Sequence, residues 1–172
     1  MKQLLLMRHG KSDWNKVGQD DIERSLAPRG QTATLSIAGW IERRGLHPDL
    51  ALVSSARRTQ ETWALAEQVI GAAGARENQA ALYLASPGEI LNQLAGVADS
   101  FDTVIVVAHN PGLEVLSNML AGADSDTAAL ENLHRGFPTA ALAVFELAGD
   151  SWSSLSADGA TLTEFVRPRE LA

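Results

Sequence analysis

The sequence predicts an α/β fold: a three-layer sandwich with a mostly parallel central sheet and helices on both faces. Three observations carry this. Apolar runs alternate with amphipathic helical segments, the pattern of strand–helix–strand units. The runs Leu4–Met7, Leu50–Val53 and Val104–Ala108 are continuous rather than alternating, as in strands buried on both faces. Each of the three leads into an arginine or a histidine: Arg8-His9-Gly10, Arg57-Arg58 after Ser54-Ser55-Ala56, and His109-Asn110-Pro111. Parallel sheets bind ligands just beyond the carboxyl ends of their strands. Basic groups converging there suit a phosphate.

Taken in order, residues 2–8 are predicted as the first strand, and Gly10 lets the chain turn tightly. Residues 11–27 lack a period and are predicted as a loop beside the site. Pro28 suits the first position of a helix. Ala33, Ile37, Trp40 and Ile41 make its apolar face, Arg43 and Arg44 suit its last turn, and Gly45 ends it. Residues 50–54 form the second strand, and Ser54 or Ser55 caps a helix reaching Ile70, with Thr59, Trp63, Ala66 and Ile70 inward. Arg57 and Arg58 then fall in its first turn, where the helix dipole disfavours cations. Either a bound anion resolves that conflict or both are solvated surface arginines.

Residues 79–84 hold a short apolar piece. Ser86-Pro87-Gly88-Glu89 is a capping box, opening a helix with Ile90, Leu91, Leu94 and Val97 buried. Residues 103–108 are the most strand-like run of the chain. Asn110 caps the next helix, Pro111 starts it, Leu113, Leu116, Met119 and Leu120 pack inward, and Gly122 closes it. Residues 123–138 read as irregular and able to lie over the site. Residues 139–147 are a strand, with weaker strands at 152–156 and 162–167, at least one strand of this end being antiparallel. No repeat, linker or low-complexity segment interrupts 1–172, so one domain is expected.

The chain has 172 residues, 45% of them apolar, a net charge of −7 and no cysteine. This composition excludes a disulfide scaffold, thiolate chemistry and a general nucleic-acid binder. Met1–Met7 is too short and too soon interrupted for a signal peptide, and no run is long enough to span a membrane. A cytoplasmic protein with no nucleic-acid or membrane partner is expected.

His9 is the foremost chemical candidate. A neutral imidazole attacks phosphorus and holds the phosphoryl group covalently. Adjacent arginines keep it neutral and stabilise the charge on the transferring group. His109 ends a separate strand just before a helix, as a phosphate ligand would. His47 and His134 read as surface residues. No metal or other cofactor is invoked, because the flanking arginines would repel a cation. For a proton donor to the leaving group, Asp13, Tyr83 and Glu89 are the candidates, Glu89 with a competing role in the capping box.

Met7-Arg8-His9-Gly10 after the first strand, Ser54…Arg58…Thr62 after the second and His109 after a later one resemble the histidine phosphatase superfamily, which has the phosphoglycerate mutase-like fold. Arg8–Trp14, Asp21…Arg24-Ser25-Leu26…Arg29-Gly30 and Val107–Leu113 resemble its SixA-type phosphohistidine phosphatase branch. The resemblance covers nearly the whole chain. It implies that His9 is the phosphorylated nucleophile and that Arg8, Arg58 and His109 complete a phosphate pocket, with Arg57 in reserve for Arg58. Ser12 and Asn15, in the loop beside the site, complete the expected substrate-binding set. Phosphate or sulfate is the expected pocket ligand.

Many members of the wider family place a glutamate acid near Tyr83, where this chain reads Leu82-Tyr83-Leu84-Ala85. That departure speaks against ordinary phosphomonoesterase activity. Phosphohistidine releases an imidazole, a far better leaving group than an alkoxide. The resemblance therefore implies a phosphorylated protein as substrate. A small-molecule phosphomonoesterase of the same fold and a non-catalytic phosphate-binding module are the alternatives.

Overall fold

The computed structural model of the chain describes residues 1–14 and 16–172, so Asn15 lies outside the described residues. The elements run β1 (Gln3–Arg8), α1 (Pro28–Arg43), β2 (Leu50–Ser54), α2 (Arg57–Ile70), β3 (Ala75–Gln79), α3 (Pro87–Ala95), β4 (Thr103–Ala108), α4 (Gly112–Leu120), α5 (Thr127–His134), β5 (Leu142–Leu147) and β6 (Ala160–Val166). The sheet order is β3-β2-β4-β1-β5-β6. Strands β1 to β4 pair in parallel, and β5 runs antiparallel to both β1 and β6. This is the expected three-layer α/β sandwich.

The continuous apolar runs feed two cores. Leu4 and Leu6 of β1 and Val104 and Val106 of β4 pack beneath α3, α4 and α5. Leu5 and Met7, with Ile105 and Val107, pack beneath α1 and α2 against Ile37, Ile41 and Trp63. Residues Leu4–Met7 and Val104–Val107 have no solvent exposure. Burying such a side chain stabilises the fold by roughly 1.5–3 kcal/mol.

The structure departs from the sequence-based expectations at several points. β3 is an additional edge strand, Ala75-Arg76-Glu77-Asn78-Gln79, with three central residues exposed. Its ladder to β2 is made by backbone, and its polar side chains blunt the edge. Residues 123–138 are not irregular throughout. They contain α5, capped by the Asp126 carboxylate, which accepts from the Ala129 amide at 2.8 Å. The weak strand expected at 152–156 is instead a 3-10 turn over Trp152–Ser154. Trp152 is fully buried there, donating its indole N–H to the Phe101 carbonyl at 2.8 Å. The strand expected from 139 begins at Leu142, after Ala140 at φ +63°. Neither Ser54 nor Ser55 is the N-cap of α2; that position belongs to Ala56, without a side-chain cap. Pro111 rather than Asn110 occupies the N-cap of α4, although the Asn110 side-chain oxygen still accepts from the Glu114 amide at 3.2 Å. No described helix is long and apolar enough to cross a membrane.

The chain leaving β1 crosses the start of α1 with no room for a side chain. A Cβ at Gly30 would lie 2.1 Å from the Lys11 carbonyl oxygen, and one at Gly10 would lie 2.7 Å from the Gly30 carbonyl oxygen. Both contacts are with backbone, so neither can be relieved by a rotamer change. Gly30→Ala is expected to destabilise the protein by about 2 kcal/mol or more. Gly39→Ala, in the same helix but against only the flexible Arg43 side chain, is expected to be neutral or mildly stabilising. Urea unfolding of the two variants checks this, and equal midpoints would contradict it.

Candidate active site

The site is built on strand register. Arg8 lies level with Ala108 in the parallel β1–β4 pair, so His9 and His109 leave adjacent strands at the same height. Their rings stand 5.3 Å apart, centroid to centroid. Val53 is level with Val107 in β2–β4, which brings Ser54 beside His109. The Ser54 hydroxyl lies 2.7 Å from His109 Nε2.

The hydrogen bonds assign the ring protons. His9 Nδ1 is 2.7 Å from the Gly10 carbonyl, which only accepts. Nδ1 therefore carries the proton and Nε2 the lone pair. Burial lowers the His9 pKa to about 4, with the Arg58, Arg8 and Arg24 cations adding to it against the Gly10 hydrogen bond. His109 Nδ1 faces an Arg58 nitrogen at 3.4 Å. A guanidinium only donates, so Nδ1 accepts and Nε2 donates to Ser54. Burial pushes His109 down to about 3, helped by His9 and by Arg58. Both rings are neutral at physiological pH.

Each arginine is positioned by a hydrogen bond to an oxygen of another segment. Arg8 donates to the Phe137 carbonyl at 2.9 Å, which also accepts from the Asn110 side chain at 2.9 Å. Arg58 is 2% exposed and donates to the Asp21 carbonyl at 2.8 Å and to Asp21 Oδ2 at 3.0 Å. Arg57, the reserve candidate, is half exposed on the helix surface and pairs with Glu61 at 3.5 Å. Thr62 ties α2 to the loop after β1, accepting from the Gly10 amide at 3.0 Å and donating to the Arg58 carbonyl at 2.7 Å.

Asp21 is the residue that sequence reasoning missed as a site member. Besides Arg58, it accepts from Arg24 Nε at 3.0 Å and from the Tyr83 hydroxyl. Burial alone would raise its pKa, but the Tyr83 hydroxyl, then Arg58 and Arg24, hold it down at about 2. Burial and the bond to Asp21 push the Tyr83 hydroxyl up. Arg24 donates its other hand to the Ser12 hydroxyl and stacks 3.3 Å from the Trp14 ring centroid. An acid and a base three apart, Asp21 and Arg24, opposite a buried Arg58, were the available signal.

These groups border an open cleft of about 390 Å³, lined by Arg8, His9, Ser12, Arg24, Arg58 and His109 among others. Asp21 is its one lining carboxylate among the described residues, so the cleft is net cationic. Leu84, exposed and at φ +50°, and Thr139 stand on its rim. The buried Nε atoms of Arg8 and Arg58 have no described hydrogen-bond partner. Such an arrangement can hold a tetrahedral oxyanion against an unprotonated imidazole nitrogen.

The remaining candidates lie elsewhere. Glu89 closes the capping box: its carboxylate accepts from the Ser86 amide at 2.7 Å, and its own amide donates to the Ser86 hydroxyl at 3.2 Å. Asp13 is not among the residues lining the cleft; its amide donates to the Ser25 carbonyl at 2.8 Å. His47 faces Glu42 at 4.0 Å on the surface, and His134 ends α5 exposed. Of residues 123–138, α5 packs Ala129 and Leu133 into the core rather than over the cleft. Among the described residues, no three His, Asp or Glu side chains gather as a metal site would need.

The sequence model of the histidine phosphatase superfamily (branch 1) matches residues 4–79. An uncharacterised protein of Mycobacterium tuberculosis strain H37Rv is 34% identical over 95% of this chain and 100% of its own. A candidate phosphohistidine phosphatase, SixA, from Nakamurella multipartitia is 30% identical, with a TM-score of 0.83 over 97% of this chain and 96% of that one. The protein histidine phosphatase SixA in complex with tungstate is 20% identical, with a TM-score of 0.79 over 99% of both chains, a likeness of fold.

The depressed histidines link stability to pH. Folded, His9 and His109 resist protonation until about pH 4 and 3, whereas unfolded imidazoles titrate near 6.5. Between those values the unfolded chain binds more protons, so stability falls as pH drops from 6.5 towards 4. For His9 the loss is on the order of 3 kcal/mol. Urea unfolding at pH 7 and 4.5 is expected to show this fall in the native protein and a shallower one in His9→Asn. Parallel curves for the two proteins would refute the assignment.

Proposed function

The chain belongs to the histidine phosphatase superfamily, and on that footing we propose that it hydrolyses phosphohistidine on a protein through a covalent phospho-His9 intermediate, without a metal. The observation that carries the proposal is the pairing of a neutral, oriented His9 with a cationic cleft whose one lining carboxylate among the described residues, Asp21, is held ionised. His9 Nε2 holds the lone pair because Nδ1 is committed to the Gly10 carbonyl. Arg8, Arg58 and His109 surround the place of the transferring phosphoryl group, with Ser12 at the edge of the same cleft. A tetrahedral oxyanion such as phosphate or sulfate is the ligand we assign to it on charge.

In the first step the Nε2 lone pair forms a bond to phosphorus as the substrate's own P–N bond breaks. The departing imidazole nitrogen takes a proton from water. In the second step water attacks phosphorus, the bond to His9 breaks, and inorganic phosphate leaves with His9 again neutral. The arginines stabilise the charge on the equatorial oxygens throughout.

The choice of substrate follows from the acids. A general acid works best with a pKa near the working pH. Asp21 is held at about 2, the Tyr83 hydroxyl is pushed up, and Glu89 is occupied in a helix cap. An alkoxide would therefore leave unprotonated, and a phosphate monoester would turn over slowly. An imidazole leaves without that help. The name of the Nakamurella relative supports the same substrate class.

Side-by-side turnover of a phosphohistidine-bearing protein domain and of p-nitrophenyl and sugar phosphates tests the reading. Phosphohistidine is expected to be strongly preferred over sugar phosphates, EDTA to leave its turnover unchanged, and His9→Ala to lower kcat by roughly 10⁴-fold while the protein stays folded. Retained turnover in His9→Ala would sink the mechanism. Preference for sugar phosphates would return the assignment to a phosphomonoesterase.

A further inference from the structure

A second concavity adjoins the catalytic cleft. This groove, of about 530 Å³, runs between the start of α1 and the segment after β6, and shares Lys11 and Thr139 with the cleft. Its apolar surface comes from Pro28, Ala33, Pro138 and Pro168, its charged side chains are Lys11, Arg29, Arg167 and Arg169, and the main chain of Ala172 closes one end. Among the described residues, no Asp or Glu side chain lines it. In a chain of net charge −7, that concentration of one sign needs a local reason.

None of the groove's four cations forms an ion pair with a described residue, although Lys2, Arg44, Arg76 and Arg135 elsewhere each do. Arg167 is buried and donates to Asn132 and to the Gly136 carbonyl, neutral acceptors, with the Glu170 and Glu114 carboxylates offsetting part of its charge from farther off. Glu170, next to Arg169 in sequence, turns away to Arg135 and Asn132. Arg29 and Lys11 are exposed. Arg29 also stands in the first turn of α1, which contains no acidic residue and where a cation opposes the helix dipole.

Resting on the phosphohistidine reading above, we propose that this groove seats an acidic segment of the phosphorylated protein, the stretch of chain flanking its phosphohistidine. The shared wall lets one extended segment lie in the groove while its phosphoryl group enters the cleft. The apolar floor contacts the segment's aliphatic atoms, and Lys11, Arg29 and Arg169 meet its carboxylates. Charge pairs of this exposed kind set partner choice and encounter rate, and weaken with salt.

The test uses the full chain and the double variant Arg29→Glu/Arg169→Glu. An acid in the first turn of α1 suits the helix dipole, so loss of folding is not expected. Two phosphohistidine peptides are compared, one with Asp/Glu flanks and one with Gly/Ser flanks, together with phosphoramidate. The native protein is expected to show a KM about tenfold lower for the acidic peptide at low salt. The double variant is expected to lose that preference while turning over phosphoramidate at the native rate. Equal KM values in the native protein, or an undiminished preference in the variant, would overturn the proposal.

A titration by NMR separates the groove from the chemistry. An unphosphorylated acidic peptide is expected to shift the amides of Arg29, Thr32, Ala33 and Arg169 in the native protein. Such shifts without any phosphohistidine turnover would uphold the groove and defeat the substrate reading. Turnover without such shifts would do the reverse. Shifts produced by an uncharged apolar peptide or a short RNA, and not by the acidic peptide, would assign the groove to a different occupant and overturn it.

Discussion

The parallel register of β1 against β4 is the constraint on which the site depends. Because Arg8 is level with Ala108, both histidines emerge from the sheet at one height, and the His9 amide can donate to the Ala108 carbonyl at 3.2 Å. Side chains alternate faces along a strand, so a slip of one residue would exchange the two cores and separate the rings. Leu4 and Leu6 fit under one helical layer and Leu5 and Met7 under the other. The same packing that stabilises the fold therefore sets the distance between His9 and His109.

Charge at the cleft is arranged around Asp21. Three guanidiniums in one half-buried place repel each other and lose solvation, and a carboxylate shared by Arg58 and Arg24 offsets part of that cost. One carboxylate does not neutralise three cations, and the hydrogen bond of Arg8 goes to a neutral carbonyl, with Glu114 acting on it from farther off. The residual positive charge is what an arriving oxyanion meets. The same surplus, with burial, keeps both imidazoles unprotonated. The Gly10 carbonyl orients the His9 ring, while burial and the positive surplus keep it unprotonated.

The parts of this arrangement legible in the sequence are those with strong local signals. Buried parallel strands announce themselves as unbroken apolar runs, and residues at their ends are where the backbone stops pairing. His9 and His109 stand out by that rule, whereas the preference for Arg58 over Arg57 rests on the family resemblance. β3 escaped notice because an edge strand needs backbone partners and no apolar face. α5 hid because Gly122, Gly136 and Pro138 mark its surroundings as loop, although Asp126 carries a capping signal. Trp152 looked like part of a strand because hydrophobicity does not distinguish one buried indole in a turn from a ladder. Asp21 was visible as a residue, but its partners Arg58 and Tyr83 are 37 and 62 positions away. Only folding shows that a loop carboxylate is a counterion.

That counterion role also decides what Asp21 cannot be. A carboxylate accepting from two guanidiniums and a phenol is stabilised in its ionised form, and each of those bonds weakens on protonation. To act as a general acid it would have to carry a proton at working pH, which would loosen its hold on Arg58. Positioning the arginine and protonating a leaving group are competing uses of one side chain, and the hydrogen bonds from Tyr83, Arg58 and Arg24, which hold its pKa low, favour the first. On the proposed reading, the requirement for a good leaving group moves from enzyme to substrate. Substrate choice then follows from the chemistry of the phosphorus bond in the cleft, and partner choice from the cationic groove beside it.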